Sequence, residues 1–107
     1  DHTKNIAFLM DKSGQWKLAP AFDLTYAYNP DGLWTGKHQM TLNGKQDGFT
    51  LEDLYSPARQ FRIPKYEQIV EEVLQNANQW MTYAQKAGVD NNTAEQIKKT
   101  HRLQLPK

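Results

Sequence analysis

Hydrophobic and polar positions divide the chain into two kinds of pattern. Ile6-Ala7-Phe8-Leu9-Met10 is a short apolar run bounded by turn residues, which reads as a buried strand. Asp11-Lys12-Ser13-Gly14 is a turn, and Gln15-Trp16-Lys17-Leu18-Ala19 then alternates polar with apolar as a half-buried strand does. The two runs predict a β-hairpin, ended by Pro20. Residues 26–39 hold Pro30, Gly32 and Gly36 among aromatics and predict a long loop. His38 to Leu42 is expected as a short strand before a turn at Asn43-Gly44.

The period then lengthens. Thr50-Leu51-Glu52-Asp53 has the form of a capping box with Asp in place of Glu. The helical turn from Leu51 to Tyr55 is expected to stop and restart at Pro57, because proline lacks the N–H a helix interior requires. Pro64 suits the first turn of the next helix. Tyr66, Ile69, Val70, Val73, Leu74, Ala77, Trp80, Met81 and Ala84 then form one apolar stripe at helical spacing, expected as core, with Gly88 as the C-terminal stop. A weaker polar helix is expected from Thr93 to about Arg102. Strands first and helices after predict an α+β fold, mainly α: an N-terminal β-hairpin followed by a helical bundle. The expected division is a hairpin-and-loop part over 1–49 and a helical part over 50–107.

Composition narrows the function classes. A chain of 107 residues makes one small domain, and its 38% hydrophobic content implies a modest core. A net charge of +1 offers no long-range field for nucleic acid or anionic lipid. With no cysteine there is no disulfide, thiol catalysis or thiolate zinc site, which suits a reducing compartment such as the cytoplasm. No apolar run is long enough to span a bilayer.

The candidate chemistry lies at the ends of the hairpin. In an antiparallel pair, the residues before the first strand and after the second finish at the same edge. Asn5 and Asp23 are therefore expected to meet, and a carboxamide oxygen beside a carboxylate is hard-oxygen chemistry suited to Mg²⁺. Either residue by itself reads as a turn or cap residue, and Lys4 by itself as a solvated lysine.

The joined pattern resembles a known family. Asp1-His2-Thr3-Lys4-Asn5, an apolar strand, a turn, and Leu18-Ala19-Pro20-Ala21-Phe22-Asp23-Leu24 are similar to the C-terminal domain of HipA-like serine/threonine kinases, the toxins of bacterial toxin–antitoxin pairs. The resemblance extends through the Leu51–Ile63 helix and the Trp80 helix. It implies part of a kinase C-lobe that uses ATP and Mg²⁺. Asn5 and Asp23 are then metal ligands, and Lys4 neutralises charge on the transferring phosphoryl group or the base. His2 braces the loop or lies near the nucleotide phosphates, and Phe22 packs by the nucleotide. Counted back from Asn5, the family's general base falls five residues earlier; Asp1 is four earlier and matches the second acid of the pair. The chain is thus expected to begin just after its base, without the N-terminal lobe that carries the phosphate-covering loop and the ATP-pairing lysine, and to be inactive alone. The implied partners are that lobe, a helix-turn-helix antitoxin, and a protein substrate bearing a serine or threonine hydroxyl, an aminoacyl-tRNA synthetase in the best-understood members. No membrane partner is implied, and DNA only indirectly.

Other features have plainer readings. His2, His38 and His101 are too scattered for metal-ligand spacing. Tyr26, Tyr28 and Trp34 form either a binding surface or the cover of a core edge. Lys98-Lys99-Thr100-His101-Arg102 reads as a solvated helix end. The rival reading of the whole is a non-catalytic protein-binding or scaffold module built on a kinase fold.

Overall fold

The computed structural model describes residues 2–107 as a two-stranded antiparallel hairpin followed by four helices, an α+β fold that is mainly α. The chain divides into two compact units, 1–48 and 49–107. Among the described residues no helix is long and apolar enough to cross a membrane.

In the first unit, strands β1 (Phe8–Met10) and β2 (Trp16–Leu18) pair in the register Phe8–Leu18, Leu9–Lys17, Met10–Trp16. The Asp11 carboxylate builds the turn between them. Its Oδ1 accepts from the Ser13 hydroxyl at 2.6 Å, the Ser13 N–H at 2.8 Å and the Gln15 N–H at 3.0 Å. These bonds, the Ser13 hydroxyl foremost, hold the carboxyl below its ordinary range. Gly14 supplies the left-handed residue, φ 82°. The strands are not buried as their patterns suggest. Phe8, Met10, Trp16 and Leu18 share one face by register, and each is 58–67% exposed. A two-stranded ribbon has no third strand, so alternation in sequence names a face without supplying its cover.

The strand expected at His38–Leu42 does not form. Leu42 and Lys45 make an isolated bridge around Asn43 and Gly44, both left-handed (φ 51° and 77°), while His38 N–H reaches the Gln46 carbonyl at 3.3 Å. Asn-Gly makes the turn by its tolerance of positive φ, but the ladder is too short to extend it.

In the second unit, helix α1 (Leu51–Gln60) begins at the capping box. Thr50 Oγ1 accepts the Asp53 N–H, and the buried Asp53 carboxylate accepts the Thr50 N–H at 2.8 Å. The chain's C-terminal segment completes this end, the Pro106 carbonyl accepting the Leu51 N–H at 2.8 Å. α1 runs through Pro57 without stopping. Asp53 and Ala58, the buried positions of the helix, flank the proline on either side, so packing holds both halves in line although one ladder bond is lost. Pro64 lies before the next helix instead of in its first turn, because left-handed Lys65 (φ 55°) separates it from α2 (Tyr66–Asn78).

The apolar stripe is divided at Gln79 into α2 and α3 (Trp80–Lys86). Asn76 and Asn78 are weak helix-interior residues whose amides compete with the ladder, and Asn76 Nδ2 donates to the Glu72 carbonyl at 2.8 Å. Beyond the break, Trp80 Nε1 reaches the Ala94 carbonyl at 2.9 Å, and the His101 ring packs edge-on to Trp80 with centroids 5.7 Å apart. Ala84 and Ala94 are buried where α3 meets α4 (Asn91–Lys98), yet no α2 residue is buried, and Val73 is 62% exposed. The stripe is therefore core only at its α3 end. Helix α4 starts earlier than expected because Asp90 caps it, accepting from Asn92 and Thr93 N–H groups. It ends earlier because Thr100 and His101 turn back onto the Ile97 and Lys98 carbonyls.

Two helices end in Schellman motifs. After α3, Val89 N–H bonds the Ala84 carbonyl and Gly88 N–H the Gln85 carbonyl, with Gly88 left-handed (φ 75°). After α1, Ile63 N–H bonds the Ala58 carbonyl and Arg62 N–H the Arg59 carbonyl, but the left-handed residue is Arg62 (φ 54°). A side chain there costs free energy that glycine does not. Arg62→Gly is expected to raise unfolding free energy by about 0.5–1 kcal/mol in urea titrations, the left-handed penalty less glycine's extra freedom when unfolded.

Bonds from the Thr93 hydroxyl, then the Thr93 and Asn92 N–H groups, hold the Asp90 carboxyl below its ordinary value. Its contribution to stability is therefore full above the unfolded carboxyl range and is lost as pH falls through the lower folded value. Asparagine caps equally well and does not titrate. Asp90→Asn is expected to flatten the acid limb of a thermal-melt pH series below roughly pH 4 while leaving neutral-pH stability nearly unchanged.

Candidate functional site

The first half of the site is a single 3₁₀ turn, Thr3–Asn5. Its entry residue, His2, is extended (φ −137°, ψ 171°), and its ring Nδ1 accepts the Lys4 N–H at 3.2 Å. The Asn5 N–H bonds the His2 carbonyl at 3.1 Å, and Asn5 Oδ1 accepts the His2 N–H at 3.1 Å. This is a capping box in which imidazole stands for serine and a carboxamide for glutamate. It holds the half-buried Asn5 side chain in one orientation.

The hairpin brings the second half. Beyond the paired strands, the Ala19 N–H bonds the Ala7 carbonyl at 2.9 Å, so the return strand stays in register almost to the turn residues. After Pro20 the backbone reaches Asp23, which is left-handed at φ 56°. Asp and Asn tolerate that conformation better than most residues, at a cost glycine escapes. Across these eighteen residues, Asn5 Nδ2 donates to Asp23 Oδ2 at 2.8 Å, a charge-assisted hydrogen bond between a half-buried carboxamide and an exposed carboxylate.

The structure thus places Asn5 and Asp23 side by side. His2 touches Asn5 through its main chain, Lys4 is an exposed cation on the same turn, and Phe22, adjacent to Asp23, is 44% exposed. The expectation for Asp1 lies outside the described residues. Sequence reasoning did not find the His2–Asn5 bond, although the H-x-x-N spacing of a capping box was its signal.

The donor set can be tested against Mg²⁺. One oxygen of Asp23 bonds Asn5, leaving the carboxylate a second oxygen and further lone pairs; the Asn5 oxygen has a lone pair beyond the one facing His2. Among the described residues no three of His, Cys, Asp or Glu cluster as metal ligands. Two hard oxygen donors do not make an all-protein cage. With the Asn5 carboxamide turned so that its oxygen, not its nitrogen, faces Asp23, they fit a small cation that keeps waters and shares phosphate oxygens, which is how Mg²⁺ is ordinarily held.

With this geometry in place, the comparisons with known proteins decide the family. Residues 1–101 match the family described as the HipA-like C-terminal domain. This chain is a HipA-like C-terminal domain. Membership relates the HipA-like domain to the toxins of toxin–antitoxin systems. No curated protein and no solved structure matches the chain.

The left-handed backbone at Asp23 makes a separable prediction for this HipA-like domain. Asp23→Gly and Asp23→Ala both remove the carboxylate, but only glycine relieves φ 56°. The glycine variant is expected to be more stable than the alanine variant by about 1 kcal/mol in denaturant unfolding.

Proposed function

We propose that this HipA-like domain supplies the metal- and phosphate-holding half of an ATP- and Mg²⁺-dependent serine/threonine protein kinase toxin. The observation that carries the reading is the meeting of Asn5 and Asp23 at 2.8 Å where the hairpin closes. Phosphoryl transfer depends on positioning and charge neutralisation more than on covalent chemistry by the protein, and it needs a carboxamide and a carboxylate of this kind held beside the phosphates.

In this reading Asn5 and Asp23 hold Mg²⁺. Bound Mg²⁺ supplies charge neutralisation on the transferred phosphoryl group. Lys4, on the same turn, adds positive charge beside it, and His2 and Phe22 face the nucleotide. In this reading proton acceptance belongs to the acid that the family motif places five residues before the Asn5 position, and the ATP clamp to the N-terminal lobe of the kinase. The further partners are a helix-turn-helix antitoxin and a protein substrate with a serine or threonine hydroxyl, an aminoacyl-tRNA synthetase being the leading class, all in the cytoplasm.

A second reading has its own observation. The exposed apolar positions of the hairpin and of α2, Ile69 and Val73 among them, suit a module that binds protein without catalysis. Radiolabel transfer from ATP separates the two. The kinase reading expects transfer from a chain that includes the N-terminal lobe, a fall of about 10²-fold or more with Asp23→Asn, and negligible transfer from the 107 residues alone. Full transfer with Asp23→Asn, or robust turnover by the 107 residues, contradicts it. The scaffold reading instead expects partner binding to survive Asn5→Ala and Asp23→Ala and to be lost with Ile69→Asp or Val73→Asp.

A further inference from the structure

We infer that His2 is a positioning residue for Asn5: the turn it caps holds the Asn5 carboxamide nitrogen-first toward Asp23, and the pair admits a divalent cation only when that carboxamide turns over. The inference rests on the reading of Asn5 and Asp23 as cation ligands.

The orientation follows from which groups donate. A main-chain N–H only donates, so the Asn5 atom 3.1 Å from the His2 nitrogen is the oxygen, Oδ1. Nδ2 is then left for the Asp23 carboxylate, an acceptor, at 2.8 Å. Partners of opposite polarity therefore set both ends of the carboxamide. Reversing it sets N–H against N–H on one side and oxygen against carboxylate on the other. The His2 ring secures the arrangement by accepting the Lys4 N–H at 3.2 Å, which closes the turn from which the His2 N–H points at Asn5. Asp23 is held from the opposite side by its own left-handed backbone.

A cation needs the oxygen, whereas Asn5 presents its NH₂ toward Asp23. The terminal torsion of asparagine is broad and roughly two-fold, so the side chain can exchange its two ends without moving the backbone. The exchange gives up the bonds to His2 and Asp23, each worth up to about tenfold in an equilibrium constant. The closed pair thus weakens cation binding, and the His2 cap sets by how much. Asn5 and Asp23 are ligands in this scheme; His2 acts through Asn5.

The test is NMR of the ¹⁵N-labelled 107-residue chain with the metal alone. Trace Mn²⁺ is expected to broaden Asn5 and Asp23 before other residues, and Mg²⁺ to shift the Asn5 side-chain amide signals as the bond to Asp23 is lost. His2→Ala, which removes the ring acceptor, is expected to tighten Mg²⁺ binding about three- to tenfold, the effect of about one hydrogen bond. His2→Asn, which restores a capping acceptor, is expected to return it to the wild-type value. A purely structural His2 predicts weaker binding in His2→Ala. Broadening at the pair with unmoved Asn5 amide signals, or His2→Ala binding Mg²⁺ no more tightly, overturns the inference and leaves the cation reading standing. Absence of broadening at Asn5 and Asp23 removes the cation reading and the inference with it.

Discussion

The hydrogen bond from Asn5 to Asp23 depends on one constraint, the antiparallel return of a short hairpin. Two residues separated by eighteen positions have no local reason to touch. They meet because β1 and β2 share a register that continues to Ala7 and Ala19, so the chain leaves and re-enters at one edge. The bond itself is worth on the order of 1 kcal/mol, too little to organise the fold. The surrounding turns do that: the Asp11 carboxylate at one end of the hairpin, and the His2–Asn5 cap and left-handed Asp23 at the other.

The same economy of local bonding runs through the helical unit. Its buried hydrophobic residues are alanines, Ala58, Ala84 and Ala94, and no large side chain is fully buried. Small side chains allow close helix approach but remove little apolar surface from water. Helix ends are correspondingly well finished. A reciprocal cap opens α1, a carboxylate cap opens α4, Schellman turns close α1 and α3, and the Pro106 carbonyl occupies a free N–H at the start of α1. That last bond and one from Trp80 depart from locality, the indole N–H joining α3 to the Ala94 carbonyl within α4.

Family membership and site geometry bear on different questions. The match over residues 1–101 relates the chain to HipA-like toxins. The contact of Asn5 with Asp23 at the hairpin edge is the ground on which the proposed cation site rests. The exposed face formed by Phe8, Met10, Trp16 and Leu18 shows how much apolar surface this chain leaves uncovered beside that pair.

What the sequence determined by itself was whatever neighbouring residues decide among themselves. The Thr50–Asp53 cap, the Gly14 and Asn43-Gly44 turns and the stop at Gly88 were legible because each is an exchange of hydrogen bonds, or a φ requirement, within a few positions. The hairpin was legible for the same reason, and with it the meeting of Asn5 and Asp23. The continuity of α1 through Pro57 and the exposure of both strands were decided only by tertiary structure. Each depends on what packs against a segment. An apolar stripe records which face prefers to be covered, while coverage itself belongs to residues far along the chain.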